Sequence, residues 1–267
     1  MQRIMESLMK RQTFGPMKRQ TFGPIVMDIC ELIKIQPPKK LAEVKGKQKK
    51  LSEVTDMIHA AHIFHRTVSV GNISHKNNIT TINSTKDDVL SLLVGDYLLA
   101  QSSVDMASLR HPRTVGLIAK GLEDYTAGEF LKLQLIASLQ ENNLQVKEIQ
   151  DTLRRYAELT CGSLLSNACL SAALLAGHTV ESDRIPNMVK SFGLYTGAAQ
   201  RFIEMLYCPN DNDRNFVSQL PLSSDQLDGH IRYYLDKSSD TLQSLPEGRS
   251  QSSLSAVLCR MRQYLPR

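Results

Sequence analysis

Three histidines follow one another at intervals of three residues, at His59, His62 and His65. Imidazole nitrogens are frequent zinc ligands, so this is the first group in the sequence that could hold a metal. In a helix, however, a step of three residues falls roughly 60° short of a full turn, and the three rings would spread over roughly 120° of its surface. The sequence also offers no evident fourth ligand. The spacing therefore favours ordinary packed or capping histidines over zinc ligation.

Two acidic runs could bind a harder cation, but each has a simpler interpretation. Asp87 and Asp88 lie at the start of an apolar run, where they would offset the positive end of a helix dipole without any ligand. Residues 211–215 resemble the opening of a calcium loop, yet Phe216 stands where such a loop needs glycine and Leu222 where it needs glutamate. The sequence has no glycine-rich phosphate loop and no nucleophile elbow. These residues alone do not predict an enzyme class.

The elements that would position these side chains are helices. From Leu51 onward, apolar residues recur at helical spacing. The predicted helices cover about 51–68, 85–100, 115–139, 146–175, 184–207, 225–245 and 249–264, with a polar loop at 210–224 and a strand signal confined to 79–82. Residues 89–100 are apolar nearly all round, which predicts a central, buried helix. The fold class that this pattern predicts is all-α, a single helical bundle.

The N-terminal region differs from the rest in composition. Residues 9–16 and 17–24 are identical tandem copies of MKRQTFGP, and their two Gly-Pro pairs exclude one continuous helix. Residues 1–40 carry 8 basic and 3 acidic side chains, whereas the remaining chain is balanced. The first 27 residues hold five basic side chains against Glu6 alone, an acid-poor composition that is typical of organellar transit segments. We predict that 1–50 form a flexible basic tail and linker, which could include a transit segment, and that 51–267 form one helical domain.

Composition excludes several other classes of protein. Apolar residues make up 42% of the chain, aromatic residues 6%, and there is no tryptophan, so the sequence predicts a globular protein without stacking platforms for nucleic acid. The five cysteines show neither CxxC spacing nor a Cys/His cluster. The longest apolar stretches are about half of the ~20 residues that a membrane-spanning helix needs. We expect no transmembrane segment and, at most, peripheral contact with a membrane.

Several short motifs resemble those of one enzyme family. Residues 95–100, GDYLLA, resemble a signature of the trans-isoprenyl diphosphate synthases, and 57–61 with His65 resemble the helix that leads into that family's first aspartate-rich motif. Residues 128–131 are similar to the family's GEFLQ helix, with Lys132 in place of glutamine. The resemblance covers about 51–264. It implies the single helical bundle of the trans-prenyltransferase, or isoprenoid synthase, type.

The family's two aspartate-rich motifs hold Mg²⁺ ions that bind an allylic diphosphate, and both are replaced here. The first motif aligns with residues 66–70, which contain no carboxylate and one positive charge. The second aligns with residues 203–207, which keep a single acid. The resemblance thus singles out Arg66, Thr67 and Val70 as a degenerate first motif, Ile203, Glu204 and Tyr207 as a degenerate second motif, and His59, His65, Gly95, Asp96, Glu129 and Gln200 as scaffold positions.

One branch of the family resembles this pattern most, namely the second subunits of heteromeric decaprenyl or solanesyl diphosphate synthases. That resemblance implies a non-catalytic or regulatory subunit with no catalytic residues and no bound metal or other cofactor. It implies a catalytic subunit 1 as the partner, which would carry the Mg²⁺, and prenyl diphosphates as ligands of the complex. It also implies a mitochondrial location, in the matrix or at the inner membrane, and a role in making the prenyl side chain of ubiquinone.

Two alternatives remain open at the level of sequence. The chain could be an active prenyltransferase that uses relocated acids, for which Glu204, Asp96 and Asp211 are the candidates. It could also be a prenyl-lipid-binding or scaffold protein that keeps an apolar cavity but has no synthase activity.

Overall fold

The predicted helical bundle is confirmed by the computed structural model, which describes residues 22–33, 41–68, 74–76, 79–81, 86–141, 144–180 and 183–266. Its helices are α1 (Phe22–Leu32), α2 (Leu41–Thr67), α3 (Lys86–Ser108), α4 (Pro112–Gln140), α5 (Val146–Ala157), α6 (Ser163–Leu175), α7 (Ile185–Tyr207), α8 (Asp211–Ser218), α9 (Ser224–Gln243) and α10 (Arg249–Arg262). Two short antiparallel strands, β1 (Ser74–Lys76) and β2 (Ile79–Thr81), pair His75 with Thr80.

The centre of the bundle is α6, in which every residue is buried. Helices α7, α4, α2 and α1 surround it, and α9 and α10 close the outer side of α7 and α1. Small side chains allow this close packing: a Cβ added at Gly197 of α7 would lie 2.4 Å from the carbonyl oxygen of Cys161. This approach brings the α7 backbone against the segment that precedes α6.

That segment is a short π-helix, Glu158–Gly162, which joins α5 to α6. A single wide turn of this kind rotates the side chains that follow it and is frequent at functional sites.

Among the described residues, Val146–Leu175 is one stretch that is long and apolar enough to cross a membrane, and 83% of its apolar window is buried inside the protein. In this structure the stretch serves as the core helix.

The N-terminal boundary of the folded domain was predicted wrongly. Helix α1 packs into the main apolar core through Phe22, Val26 and Ile29, and α2 begins at Leu41, within the lysine-rich stretch that we predicted as linker. The proline of the second repeat lies in the first turn of α1. Backbone N–H groups in a first turn have no partner within the helix, so a proline there removes no hydrogen bond. The prediction of a flexible tail and linker is not tested for residues 1–21 and 34–40, which lie outside the described residues.

Helix α3 was predicted to be central and is peripheral. It packs chiefly on α2, with Val94 and Leu98 buried in that contact. Its other side exposes large apolar side chains: Val89, Leu92, Leu93, Tyr97 and Val104. The all-round apolar pattern therefore reflects one face buried within the chain and one that no described part of the chain covers.

Candidate functional site

The two degenerate motifs meet in the core as an ion pair. Arg66, at the end of α2, donates from Nη2 to Glu204 Oε2 on α7 over 2.7 Å. Both side chains are buried. In a low-dielectric interior such a pair is stable only when both charges are kept together. The position that carries a carboxylate in the aspartate-rich pattern carries a guanidinium here, and that guanidinium neutralises the acid left in the second motif.

Further donors surround Glu204. His59 Nε2 lies 3.1 Å from Oε1, and Gln200 Nε2 donates to the same oxygen over 3.2 Å. Arg201 Nη1 lies 3.9 Å from Oε2. Burial by itself opposes ionisation, but Arg66, followed by His59 and Arg201, holds the pKa of Glu204 well below its usual range. Glu204 is therefore a carboxylate whose oxygens are already occupied by protein donors.

The three histidines of α2 have three different partners. His59 contacts Glu204 and stacks on Phe22, and His62 stacks on Tyr125 with ring centroids 3.5 Å apart. His65 Nε2 lies 3.2 Å from Asp96 Oδ1 on α3. Burial, then the charge of Arg66, lowers the pKa of His62 well below its usual value, so that ring is neutral. The rings diverge as the helical spacing predicts.

One mixed group of donors could in principle hold a metal. The ligand atoms of His59, Cys161 and Glu204 lie within 4.8 Å of one another, a nitrogen, sulfur and oxygen set that suits zinc better than magnesium. Two features oppose any metal: Arg66 places a fixed positive charge on Glu204, and burial, reinforced by Glu204, raises the pKa of the Cys161 thiol to about 12. Mg²⁺ needs several oxygen ligands, whereas the two degenerate motifs supply one carboxylate, that of Glu204, which is already bound by protein donors. These residues do not fit the family's magnesium ions.

A second buried network adjoins the first. Arg201, fully buried, pairs with Asp213 of α8, and its Nη2 donates to the hydroxyl of Tyr156 over 2.7 Å. The Tyr156 hydroxyl in turn donates to Glu129 Oε1 over 3.1 Å. Lys132 Nζ lies 3.7 Å from Asp213 Oδ1. Burial opposes the charge of Asp213, but Arg201 holds the pKa of this acid below its usual range. The network ties α4, α5, α7 and α8 together.

The remaining predicted positions have local structural roles. Thr67 Oγ1 donates to the carbonyl oxygen of Phe64 over 2.7 Å, and Ile203 is fully buried in the main core. The Tyr207 hydroxyl donates to Asp228 over 2.6 Å, at the edge of the bundle. Val70 lies outside the described residues. The site thus uses Arg66, Glu204, His59 and Gln200 of the predicted set, whereas Ile203 and Tyr207 support the fold.

Sequence reasoning missed Arg201, Asp213, Tyr156 and Cys161. The signal for Arg201 is present: it stands in the apolar helix segment 196–206, and an arginine there must find an acid. Asp213 gives no such signal because the surrounding residues are uniformly polar. Helix α8 itself was predicted as loop. Asn210 caps its start by accepting from the Asp213 amide over 2.7 Å, and Asn212 Nδ2 donates to the carbonyl oxygens of Arg66 and Val68 over 2.9 Å.

A cavity of about 360 Å³ opens beside Arg66. Its walls come from the end of α2, from α4 and from α8. The lining residues are His65, Arg66, Val68, Tyr125, Glu129, Lys132, Leu133, Ile136, Asn212, Asn215, Phe216 and Gln219. Polar and apolar side chains are both present, and the fixed charges on the wall are two cations and one carboxylate.

Gly95 of α3 leaves room for the His65 ring of α2. A Cβ added there would lie 2.2 Å from His65 Nε2. We therefore expect Gly95→Ala to lower the free energy of unfolding by about 1–3 kcal/mol, because the His65 ring must leave its position beside Asp96. Gly116→Ala is the matched control, since nothing lies within 4 Å of a Cβ at that exposed position of α4. It should be neutral or stabilising by up to about 1 kcal/mol in the same urea titration. Equal destabilisation by both variants would contradict the steric explanation.

Comparison with known proteins identifies the family. Residues 13–200 match the family described as Polyprenyl synthetase. The chain belongs to the polyprenyl synthetase family. Relatives in this family include a decaprenyl-diphosphate synthase of Dictyostelium discoideum, 31% identical over 61% of this chain and 33% of that protein. A mitochondrial solanesyl-diphosphate synthase 1 of Oryza sativa is 28% identical over 61% of this chain and 35% of that protein.

Another relative carries a subunit designation. The decaprenyl-diphosphate synthase subunit 1 of Schizosaccharomyces pombe is 29% identical over 50% of this chain and 35% of that protein. The chain spans about a third of the length of these curated polyprenyl synthetase relatives. Among solved structures, a decaprenyl diphosphate synthase from Rhodobacter capsulatus superposes with a TM-score of 0.63 and 15% identity, covering 99% of this chain and 95% of that one. That likeness shows a shared fold.

Proposed function

We propose that this polyprenyl synthetase family chain is a non-catalytic or regulatory subunit of a heteromeric trans-polyprenyl diphosphate synthase. The partner is an aspartate-bearing homologue, the catalytic subunit 1, which holds the Mg²⁺ and turns over the prenyl diphosphates. The complex makes the long prenyl precursor of the ubiquinone side chain and is mitochondrial, like relatives whose names include that location. The proposal is carried by the buried Arg66–Glu204 pair.

The pair supports this function because of what diphosphate ionisation requires. A prenyl diphosphate ionises when divalent cations neutralise the charge that develops on the leaving group. In this chain the acid that could help bind such a cation is already neutralised by Arg66. A metal would have to displace the guanidinium and leave that charge buried without a partner, which costs several kcal/mol. We therefore assign the chain no catalytic metal and no catalytic residue.

The alternative of relocated acids finds no support in the described residues. Each candidate acid has a cationic or imidazole partner of its own: Glu204 has Arg66, Asp96 has His65, and Asp211 has Arg214. Asp96 and Asp211 side chains are largely exposed. Within the described part of the chain, the candidate metal group contains Glu204 but neither of the other two.

The exposed face of α3 supports a protein partner. Val89, Leu93, Tyr97 and Val104 recur at intervals of four or seven residues, and together they form one apolar stripe along the helix. Contiguous exposed apolar surface on a folded protein marks an interaction site. Helix α3 has α2 as its chief packing neighbour, so its free side could be covered by a helix of a second subunit. We assign this stripe to the contact with the catalytic homologue.

A turnover assay tests the proposed function. The purified chain, supplied with isopentenyl diphosphate, farnesyl diphosphate and Mg²⁺, should show no chain elongation above the background without protein. The complex with the aspartate-bearing homologue should produce long-chain product. Asp96→Asn and Asp211→Asn in this chain should leave the turnover of the complex unchanged, whereas the relocated-acid alternative requires a loss. Long-chain synthesis by the isolated chain would refute the proposal.

A further inference from the structure

A second cavity lies between the end of α1 and the beginning of α2, at the opposite end of α2 from Arg66. Its volume is about 460 Å³, within the range of roughly 300–1,000 Å³ that small-molecule sites occupy. The lining residues are Met27, Cys30, Glu31, Ile33, Leu41, Lys45, Gln48 and Lys49. Lys45 and Arg66 lie about 32 Å apart along the axis of α2. This α1–α2 cavity is therefore separate from the site of the buried ion pair.

The apolar wall of the α1–α2 cavity comes mainly from α1. Met27 and Cys30 lie about one turn apart on that helix, and Ile33 follows its last residue. Leu41, the first residue of α2, adds an apolar side chain that is 46% exposed at the edge of the cavity. Burial of an alkyl chain against these side chains removes apolar surface from water and is therefore favourable. One part of a matching ligand is a hydrocarbon chain.

The polar wall of the cavity comes from α2. Lys45, Gln48 and Lys49 are three or four residues apart, so they share one face of the helix. Gln48 is only 2% exposed, and its Nε2 donates to the carbonyl oxygen of Ala172 over 3.5 Å. Because a side-chain amide nitrogen carries two hydrogens, one N–H of this buried group is left for a ligand in the cavity that Gln48 lines.

The charged groups at the cavity favour a ligand with a single negative charge. Lys45 forms no ion pair with any described residue, and Lys49 lies 3.8 Å from Glu53 in an exposed pair. Glu31 opposes them on the α1 side, where one of its oxygens accepts from Ser250 Oγ over 3.2 Å. Two lysines and one glutamate among the lining residues leave one net positive charge. A carboxylate matches that charge, whereas a diphosphate exceeds it.

We propose that the α1–α2 cavity binds a single-chain lipid with one negative charge, of which a fatty acid is the simplest form. The carboxylate lies against Lys45, Lys49 and the remaining N–H of Gln48, and the alkyl chain lies along the apolar wall of α1. A free fatty acid and a fatty acid held in a bilayer offer the same chemistry. The site does not depend on the proposed synthase role, since Arg66 and Glu204 are not among its lining residues.

Isothermal titration calorimetry on the full-length chain tests this site with octanoate and decanoate, each below its critical micelle concentration. We expect one molecule bound per chain. Each buried methylene is worth up to roughly fourfold in affinity, so decanoate should bind at least about fivefold more tightly than octanoate. Decyltrimethylammonium, which has the same chain and the opposite charge, should bind at least about tenfold more weakly than decanoate. An affinity independent of chain length or of charge would overturn the proposal.

A vesicle experiment distinguishes the two sources of the lipid. The chain is floated with phosphatidylcholine vesicles prepared with and without oleate. Binding of decanoate without flotation identifies a free fatty acid as the ligand. Flotation that requires oleate identifies a fatty acid held in a bilayer. If decanoate does not bind and oleate does not increase flotation, the proposal is wrong.

Charge substitutions with opposite expected effects make the test specific. Lys45→Met combined with Lys49→Met should weaken decanoate binding roughly tenfold, because each exposed ion pair contributes up to about fivefold. Glu31→Gln should tighten binding by up to about fivefold, because it removes the opposing carboxylate. Lys47→Met combined with Lys50→Met is the matched control on the same helix. Both of these lysines lie outside the cavity lining and pair with other acids, so the control should bind like the original chain. Equal losses in the two lysine double variants, or weaker binding in Glu31→Gln, would overturn the proposal.

Discussion

Replacing Arg66 with methionine is expected to lower the free energy of unfolding by about 3–5 kcal/mol, the usual cost of removing one partner from a buried ion pair. The substitution keeps most of the side-chain volume but leaves the Glu204 carboxylate in the core without its strongest cationic neighbour. His59, Gln200 and Arg201 remain beside it, so the cost should fall within that range and not above it. Urea denaturation at pH 7 measures the effect.

The double variant Arg66→Met, Glu204→Gln supplies the control. With both charges removed, no buried charge is left unpaired, and the double variant should be more stable than Arg66→Met alone by at least about 2 kcal/mol. A double-mutant cycle between the two positions should therefore show a coupling of that size. Additive effects of the two substitutions would mean that Arg66 and Glu204 do not form the pair described here.

The same pair makes a prediction about pH. Because the folded-state pKa of Glu204 lies below its unfolded value, the ionised carboxylate contributes stability that is fully present above about pH 4.3, the unfolded value. That contribution is lost as the pH falls from there toward the folded-state pKa. The stability difference between the original chain and Arg66→Met should accordingly be largest near neutral pH and shrink below about pH 4.3. A difference that grows on acidification would contradict this assignment.

Much of the fold could be predicted from apolar periodicity. The starts and ends of α4, α7, α9 and α10 were predicted within a few residues, because the spacing of apolar side chains records which face of a helix is buried. The N-terminal helix was missed for a local reason. Gly23 and Pro24 were interpreted as a break, although proline is tolerated in a first helical turn. Only the buried position of Phe22 and Ile29 shows that the helix belongs to the core.

The candidate site could be predicted from the sequence only in part, and for a different reason than the N-terminal helix. Aligned motifs singled out Arg66 and Glu204 separately, as replacements for expected acids. They lie 138 residues apart, and nothing in their local sequence says that one neutralises the other. Asp213 was placed in a predicted loop, and its partner Arg201 was not noticed. Pairing of this kind depends on how helices pack, since tertiary contacts and not neighbouring residues decide which buried charges meet.

Helix α3 was misplaced for a third reason. Periodicity shows that a surface is apolar, but it cannot show whether the same chain or another molecule covers it. A helix apolar all round is usually buried within its own domain. Here α2 covers one side, and on the other side Leu93 is 59% and Val104 is 65% exposed. The mismatch between the predicted and observed burial is what locates the surface that we assign to the partner subunit.

Substituting Leu93 with glutamate should therefore weaken association with the catalytic homologue roughly 100-fold, or by about 2.7 kcal/mol, because a charge would be buried at the centre of an apolar contact. The fold should be unaffected, since Leu93 is exposed in the isolated chain. Val104→Glu, about three turns further along the same stripe of α3, should act in the same direction. Affinity is measured with the co-expressed homologue by analytical ultracentrifugation, and polyprenyl synthesis by the mixture should fall in parallel.

Tyr233→Glu is the matched control for this interface. Tyr233 is also a large apolar side chain exposed on a helix, at 46% on α9, and its substitution adds the same charge away from the α3 stripe. It should leave both the affinity and the turnover of the complex unchanged. If Leu93→Glu and Val104→Glu bind the homologue as tightly as the original chain, the stripe is not the contact. The proposed heteromer would then have to form through another surface. If affinity is lost in the two α3 variants and kept in the control, the subunits assemble through α3, the helix whose outer face the rest of the described chain leaves uncovered.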